Sequence, residues 1–231
     1  MKKDQLVQLL EEQLRTVKAE RQSGGRDPAL HAARVALKDF QSRRLGATHA
    51  DLMARPDTHA AVMFFLQDLY GSHDLSQRDT DLARIVPTMQ RVLPFDALKT
   101  ITDAIVLDAL AERLDTAMAM ALGPVFGADD YVRAYRGTAR ADRERQLELV
   151  RMLGDSLSEL VRIPMLWGTL VLMRGPAKVA GLASLQQFLE RGFSAFKKMR
   201  TPREFVATIT RRESAILVNS YAGRADPFDV A

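Results

Sequence analysis

FFLQDLYGSHDLSQRDTDLARIVPTMQRVLP, residues 64–94, reads as two helices joined by a polar turn. Before the turn His59, Val62, Met63, Leu66, Leu69 and Tyr70 recur at spacings of three and four, which puts them on one face of a helix. Gly71 stops that helix, as glycine commonly does just past a helix end. After the turn Ser76 and Asp79 resemble a capping box with Asp in place of Glu, and a second helix is expected over 77–93. Pro87 falls inside it and predicts a kink or a local break.

The same period runs outward in both directions. A first helix over 3–21 carries Leu6, Leu9, Leu10, Leu14 and Val17, and SGGRDP ends it. Asp27 and Pro28 then supply an N-cap and a proline at the first helical position for a helix ending at Gly46. A short turn of helix around THADLMAR leads to Pro56 and the helix over 57–70. Beyond Pro94 come helices over 95–122, 129–137, 141–162, 165–174, 176–199 and 202–221. The fourth of these, 165–174, is almost entirely apolar and is expected to be buried on most sides. Thr201-Pro202-Arg203-Glu204 reads as a capped start for the last.

No stretch alternates with strand period and no repeat of solenoid length recurs, so the expected fold is all-α. It has about nine or ten helices in one compact domain over 1–231. The helices over 95–122, 141–162 and 176–199 are its central members. Residues 1–25 are expected to form a peripheral N-terminal helix, and 222–231 a tail.

Composition fits an ordinary globular chain, with 47% hydrophobic and 27% charged residues over 231 positions. Without cysteine there is no disulfide, thiolate metal site or thiol nucleophile, which suits a reducing compartment. MKKDQLVQLLEEQL interrupts with charge what a secretory signal needs as an apolar run. LVRIPMLWGTLVLM, at 160–173, is too short and too interrupted to span a bilayer. A soluble cytoplasmic protein is expected.

The net charge of +4 is unevenly spread. Residues 1–56 hold 11 Lys and Arg against 7 Asp and Glu, residues 57–139 hold 7 against 12, and residues 140–231 hold 15 against 10. The basic ends either pack around the acidic middle or present a basic face. Nucleic acid is a poor fit, because the cations are interleaved with acids and no Gly-aromatic RNA motif or Cys/His finger accompanies them. Peripheral attachment to an anionic membrane surface through the basic first helix is a further option.

The turn holds Tyr70, His73, Asp74, Arg78, Asp79, Asp81 and Arg84 within 15 residues. Read as a site, His73 and Asp74 exchange protons while Arg78 or Arg84 orients an anion. Read as structure, the same residue types cap helices and pair across a helical turn. His59, four residues before Met63 on an apolar face, is the candidate axial ligand if the chain holds haem; a hydrogen-bonded core histidine is the alternative. His31, His49, His59 and His73 have no metal-binding spacing. Asp108, Glu112 and Asp115 share one helix face without the Glu-x-x-His partners of a di-iron bundle, which favours a solvated or ion-paired face. Trp167, Phe188, Phe193 and Phe196, with Met165, Met173 and Met199, line either a core or an adaptable apolar groove. No Gly-Lys-Ser/Thr or Gly-x-Ser-x-Gly motif is present.

FFLQDLYG, RDTDLARIVPTMQRVLP, GLASLQQFLERGFSAFKKM and the closing ADPF together resemble a bacterial all-helical family of unknown function marked by the FFL-x-DLYG phrase. The resemblance spans about residues 57–228. It implies a bacterial, all-helical protein and brings no activity, cofactor or catalytic residue.

The functional expectation is a helical binding or interaction protein, acting on a protein partner or as a homo-oligomer. Its rival is a ligand sensor or enzyme with a polar site at 70–84. No cofactor is indicated.

Overall fold

A computed structural model describes residues 1–69 and 76–230. Among these residues the fold is all-α, with no strand. The helices are α1 (Lys3–Arg26), α2 (Pro28–Thr48), α3 (Ala50–Ala54), α4 (His59–Phe64), α5 (Ser76–Val92) and α6 (Phe95–Leu122). They continue with α7 (Ala128–Gly137), α8 (Arg140–Leu160), α9 (Pro164–Leu172), α10 (Arg174–Val179), α11 (Ala183–Lys197) and α12 (Pro202–Ala222). A π-helical turn, Phe65–Leu69, continues α4.

The organising element is α6, whose 28 residues make a rod of about 42 Å. It touches α1, α2, α7 and α8, so its apolar residues are spread around the helix rather than gathered in one stripe. Leu98, Ile105 and Ala109 meet Leu6, Leu10, Leu14 and Val17 of α1. Leu110 and Leu114 pack with Leu149 of α8, and Met118 and Ala119 pack with Ala33, Leu37 and Tyr131. A second core joins Phe64, Phe196, Phe205 and Val206, bringing α4, α11 and α12 together. Each fully buried leucine or phenylalanine contributes about 1.5–3 kcal/mol.

Two local signals act as their residue types require. Asp27 Oδ1 accepts from Ala29 N at 2.9 Å and from Leu30 N at 3.3 Å, with Pro28 at the first helical position of α2. The end of the chain turns back, with Asn219 Nδ2 donating to the Pro227 carbonyl at 3.4 Å and Phe228 lying 6.0 Å from the Tyr131 ring.

Several elements differ from the sequence expectation. α1 continues through Ser23 and the two following glycines to Arg26, because Arg21 is anchored to α5 and α6 and tertiary contact outweighs weak propensity there. It is not peripheral: Leu6, Leu10 and Val17 are fully buried. α5 runs through Pro87, which is exposed along with Ala83, four residues before it, so the carbonyl freed by proline faces water. The expected helix over 176–199 is broken at Gly181, whose φ of +68° lies in the left-handed region. Thr201 sits at the cap of α12 without a side-chain cap bond. α9, expected to be buried on most sides, contains no buried residue.

Candidate functional site

Four helices bring their charges together beside the start of α5. Arg78 and Asp79 come from α5, Arg21 from α1, Arg34 and Lys38 from α2, and Asp108 and Glu112 from α6. Arg78 donates to Asp79 at 2.7 Å and to Asp108 at 2.6 Å, while its guanidinium lies 5.0 Å from the Phe188 ring centroid. Arg21 spans three carboxylates: it pairs with Asp79, donates to Asp108 at 2.8 Å and reaches Glu112 at 3.2 Å. Glu112 also takes Arg34 and, at 3.2 Å, Lys38. Thr116, itself an acceptor for Arg34, donates to Glu20 at 2.8 Å.

Burial opposes the charge of Glu112, but Lys38, Arg21 and Arg34 outweigh it and hold the carboxyl below the usual glutamate value. Burial likewise lowers the Arg78 pKa, against the pull of Asp108. One turn on, Asp115 accepts from Gln41 Nε2 at 2.9 Å, and burial pushes its carboxyl up despite that bond and Lys38. The arrangement is an ion-paired clamp across α1, α2, α5 and α6. Its carboxylates are occupied by cations, so they are poor general bases.

The expected turn site is only partly described: Tyr70, His73 and Asp74 lie outside the described residues. Of its arginines, Arg78 turns inward to α6, whereas Arg84 donates to the Gly181 carbonyl at 2.8 Å and supports the turn between α10 and α11. The structure does not bring these two together. Between them Asp81, 1% exposed, accepts from Gln77 at 2.8 Å and lies 3.5 Å from Arg84. Its second oxygen has no hydrogen-bond partner among the described residues. His59 is exposed rather than set on an apolar face, with Nδ1 2.8 Å from the Met53 carbonyl. Phe64 and Phe65, which follow Met63, pack into the aromatic core with Phe188, Phe196 and Phe205.

Sequence reasoning missed Arg21, Arg34 and Lys38 as partners of the α6 acids. The signal was present: Arg21 continues the buried stripe Leu10, Leu14, Val17, and Arg34 leads Leu37, Gln41 and Leu45 at helical spacing. A second buried pair was also missed, in which Glu213 of α12 takes Arg44 at 2.6 Å and His49 Nε2 at 3.0 Å. Among the described residues no three His, Cys, Asp or Glu side chains are grouped so as to hold a metal ion.

Two further features are open to solvent. A groove of about 670 Å³ runs between α8 and α12, floored by Val206 and Leu217 and edged by Glu148, Arg151 and Arg211. The other is the surface of α9 and α10, where Met165, Leu172 and Val179 are 79, 78 and 91% exposed. α9 rests on α11 by its inner side only: Trp167 stacks on Phe193 at 5.8 Å, and the Leu170 carbonyl accepts from Gln186 at 2.6 Å.

The family described as "Domain of unknown function (DUF8198)" matches residues 20–227. The chain belongs to this family. The DUF8198 match takes in both the ion-paired clamp and the α9–α10 surface, and begins near the C-terminal end of α1. No curated protein and no solved structure matches the chain. No helix among the described residues is long and apolar enough to cross a membrane.

Proposed function

We propose that this DUF8198 chain is a helical interaction protein whose working surface is the exposed apolar side of α9 and α10. One observation carries the reading. Ile163, Met165, Leu172, Met173 and Val179 are 48, 79, 78, 46 and 91% exposed within 17 residues of chain, whereas Val35, Phe95 and Val218 stand singly and Met120 and Val125 make only a pair. Clustered apolar exposure of this kind marks surfaces that are covered in use. A cytoplasmic setting, consistent with the lack of cysteine, and a bacterial origin are parts of the same reading.

The test compares the wild type with the Met165→Glu, Leu172→Glu double variant, using gel filtration, affinity purification and fractionation from native cells. The wild type is expected to associate with a partner, with itself or with a particulate fraction, and the variant to lose that association. A wild type that is a strict monomer, holds no partner and stays in the soluble fraction would contradict the proposal.

A second reading rests on Asp81. A buried carboxylate oxygen without a hydrogen-bond partner among the described residues supports a small ligand held at 70–84, for which Tyr70, His73, Asp74, Arg78 and Arg84 are the candidate residues. Native mass spectrometry of the purified protein tests it. A retained small molecule that Asp81→Asn releases is the expected result, and a bare chain in both samples counts against it.

A further inference from the structure

Resting on the interaction reading, we infer that the occupant of the α9–α10 surface is an anionic lipid bilayer, on which the chain docks peripherally. The outward side of α9 is Met165, Gly168, Thr169 and Leu172, at spacings of three and four. Thr169 Oγ1 donates to the Met165 carbonyl at 3.0 Å, so its hydroxyl is satisfied within the helix and the stripe has no polar group that demands water. Met173 and Val179 prolong it onto α10.

The charge around this stripe has one sign. Residues 161–200 hold seven Lys and Arg and a single acid, Glu190. Glu190 is occupied by Arg174 at 2.6 Å. Glu159, at the edge, is likewise taken by Arg203 at 2.9 Å. Arg162, Lys178, Lys198 and Arg200 are exposed. An apolar face that enters the headgroup and acyl boundary, flanked by cations that meet anionic lipid, is the pattern of peripheral membrane attachment. The basic first helix offers no equivalent, because its apolar face is spent on α6.

The experiment is co-sedimentation of the full chain with vesicles of phosphatidylcholine alone or mixed with phosphatidylserine. Binding to the mixed vesicles only is expected, and it should disappear in 1 M salt, where the screening length falls to about 3 Å. Lys178→Ala should weaken it about fivefold, the share of one surface cation. Met165→Glu with Leu172→Glu should reduce it at least tenfold, with circular dichroism unchanged; Val179→Asp, at a 91% exposed position, gives a second apolar test that leaves the packing alone. No binding to the mixed vesicles overturns the inference, and so does binding that survives the apolar variants. If the protein instead forms a dimer, or holds a protein partner, that the double variant releases, the bilayer is wrong and the interaction reading stands.

Discussion

Gly154→Ala puts the packing of α8 on α12 to a quantitative test. A Cβ at position 154 would lie 2.6 and 2.7 Å from the two γ carbons of Val206 and 3.2 Å from its Cβ. Ordinary carbon contacts sit near 3.5–4.0 Å. Val206 is 4% exposed and β-branched on a helix, so it has one preferred rotamer, and no rotation removes its own Cβ from the contact. The helices must therefore separate by about 1 Å. Overpacking of this kind costs about 1–3 kcal/mol, against about 1 kcal/mol gained by alanine over glycine within a helix. The net loss is up to about 2 kcal/mol, or a fall in Tm of up to about 8 °C for a chain of this size. Thermal unfolding followed by circular dichroism measures it. Val206→Ala in the same background should recover stability, with a coupling of at least about 1 kcal/mol between the two sites. A Gly154→Ala variant with raised Tm, and a double variant whose effects simply add, would refute the close packing.

The buried charges make further predictions. Glu112→Gln leaves Arg21, Arg34 and Lys38 without their shared anion and should cost about 3–5 kcal/mol in denaturant unfolding. Because the folded Glu112 pKa is depressed, its contribution is present above the ordinary value of 4.5 and is lost as pH falls through the lower folded value; the wild-type and variant acid-unfolding curves should converge there. Asp115 has the opposite sign. Its folded pKa is raised above 3.8, so ionisation in the folded state is costly and stability falls as pH rises from that value. Asp115→Asn should therefore raise Tm at neutral pH and lose that advantage in acid, and a variant less stable at pH 7 would contradict this. Arg84→Ala should speed amide exchange in the turn around Gly181, whose carbonyl it holds at 2.8 Å, with little change in overall stability.

Helix type and order were legible from period and punctuation: Asp27-Pro28, Pro94 and Thr201-Pro202 each stand where a helix begins. What local pattern could not reveal was tertiary. Nothing near Gly24 says that Arg21 will be held by three acids, and that anchoring is why α1 outlasts its glycines. The clamp itself needed partners up to 91 residues apart in sequence, so the expected solvated or ion-paired face of Asp108, Glu112 and Asp115 left the cations unidentified; Asp108 and Glu112 are ion-paired, whereas Asp115 is buried against Gln41. The most instructive difference is α9. An all-apolar segment signals burial only when the fold supplies enough neighbours, and α9 has α11 on its inner side and solvent on the other. The residues that looked most like core thereby became the best candidate for a working surface.

Trp167 is the one tryptophan of the chain and sits on α9, which makes it a single-site reporter of that surface. The decisive measurement is its fluorescence on adding anionic vesicles whose acyl chains carry bromine, against unbrominated vesicles of the same charge. Docking through α9 and α10 predicts that the brominated lipid quenches Trp167, and that Met165→Glu with Leu172→Glu abolishes the quenching. Equal emission in both vesicles, under conditions where the protein sediments with them, would contradict docking through this surface.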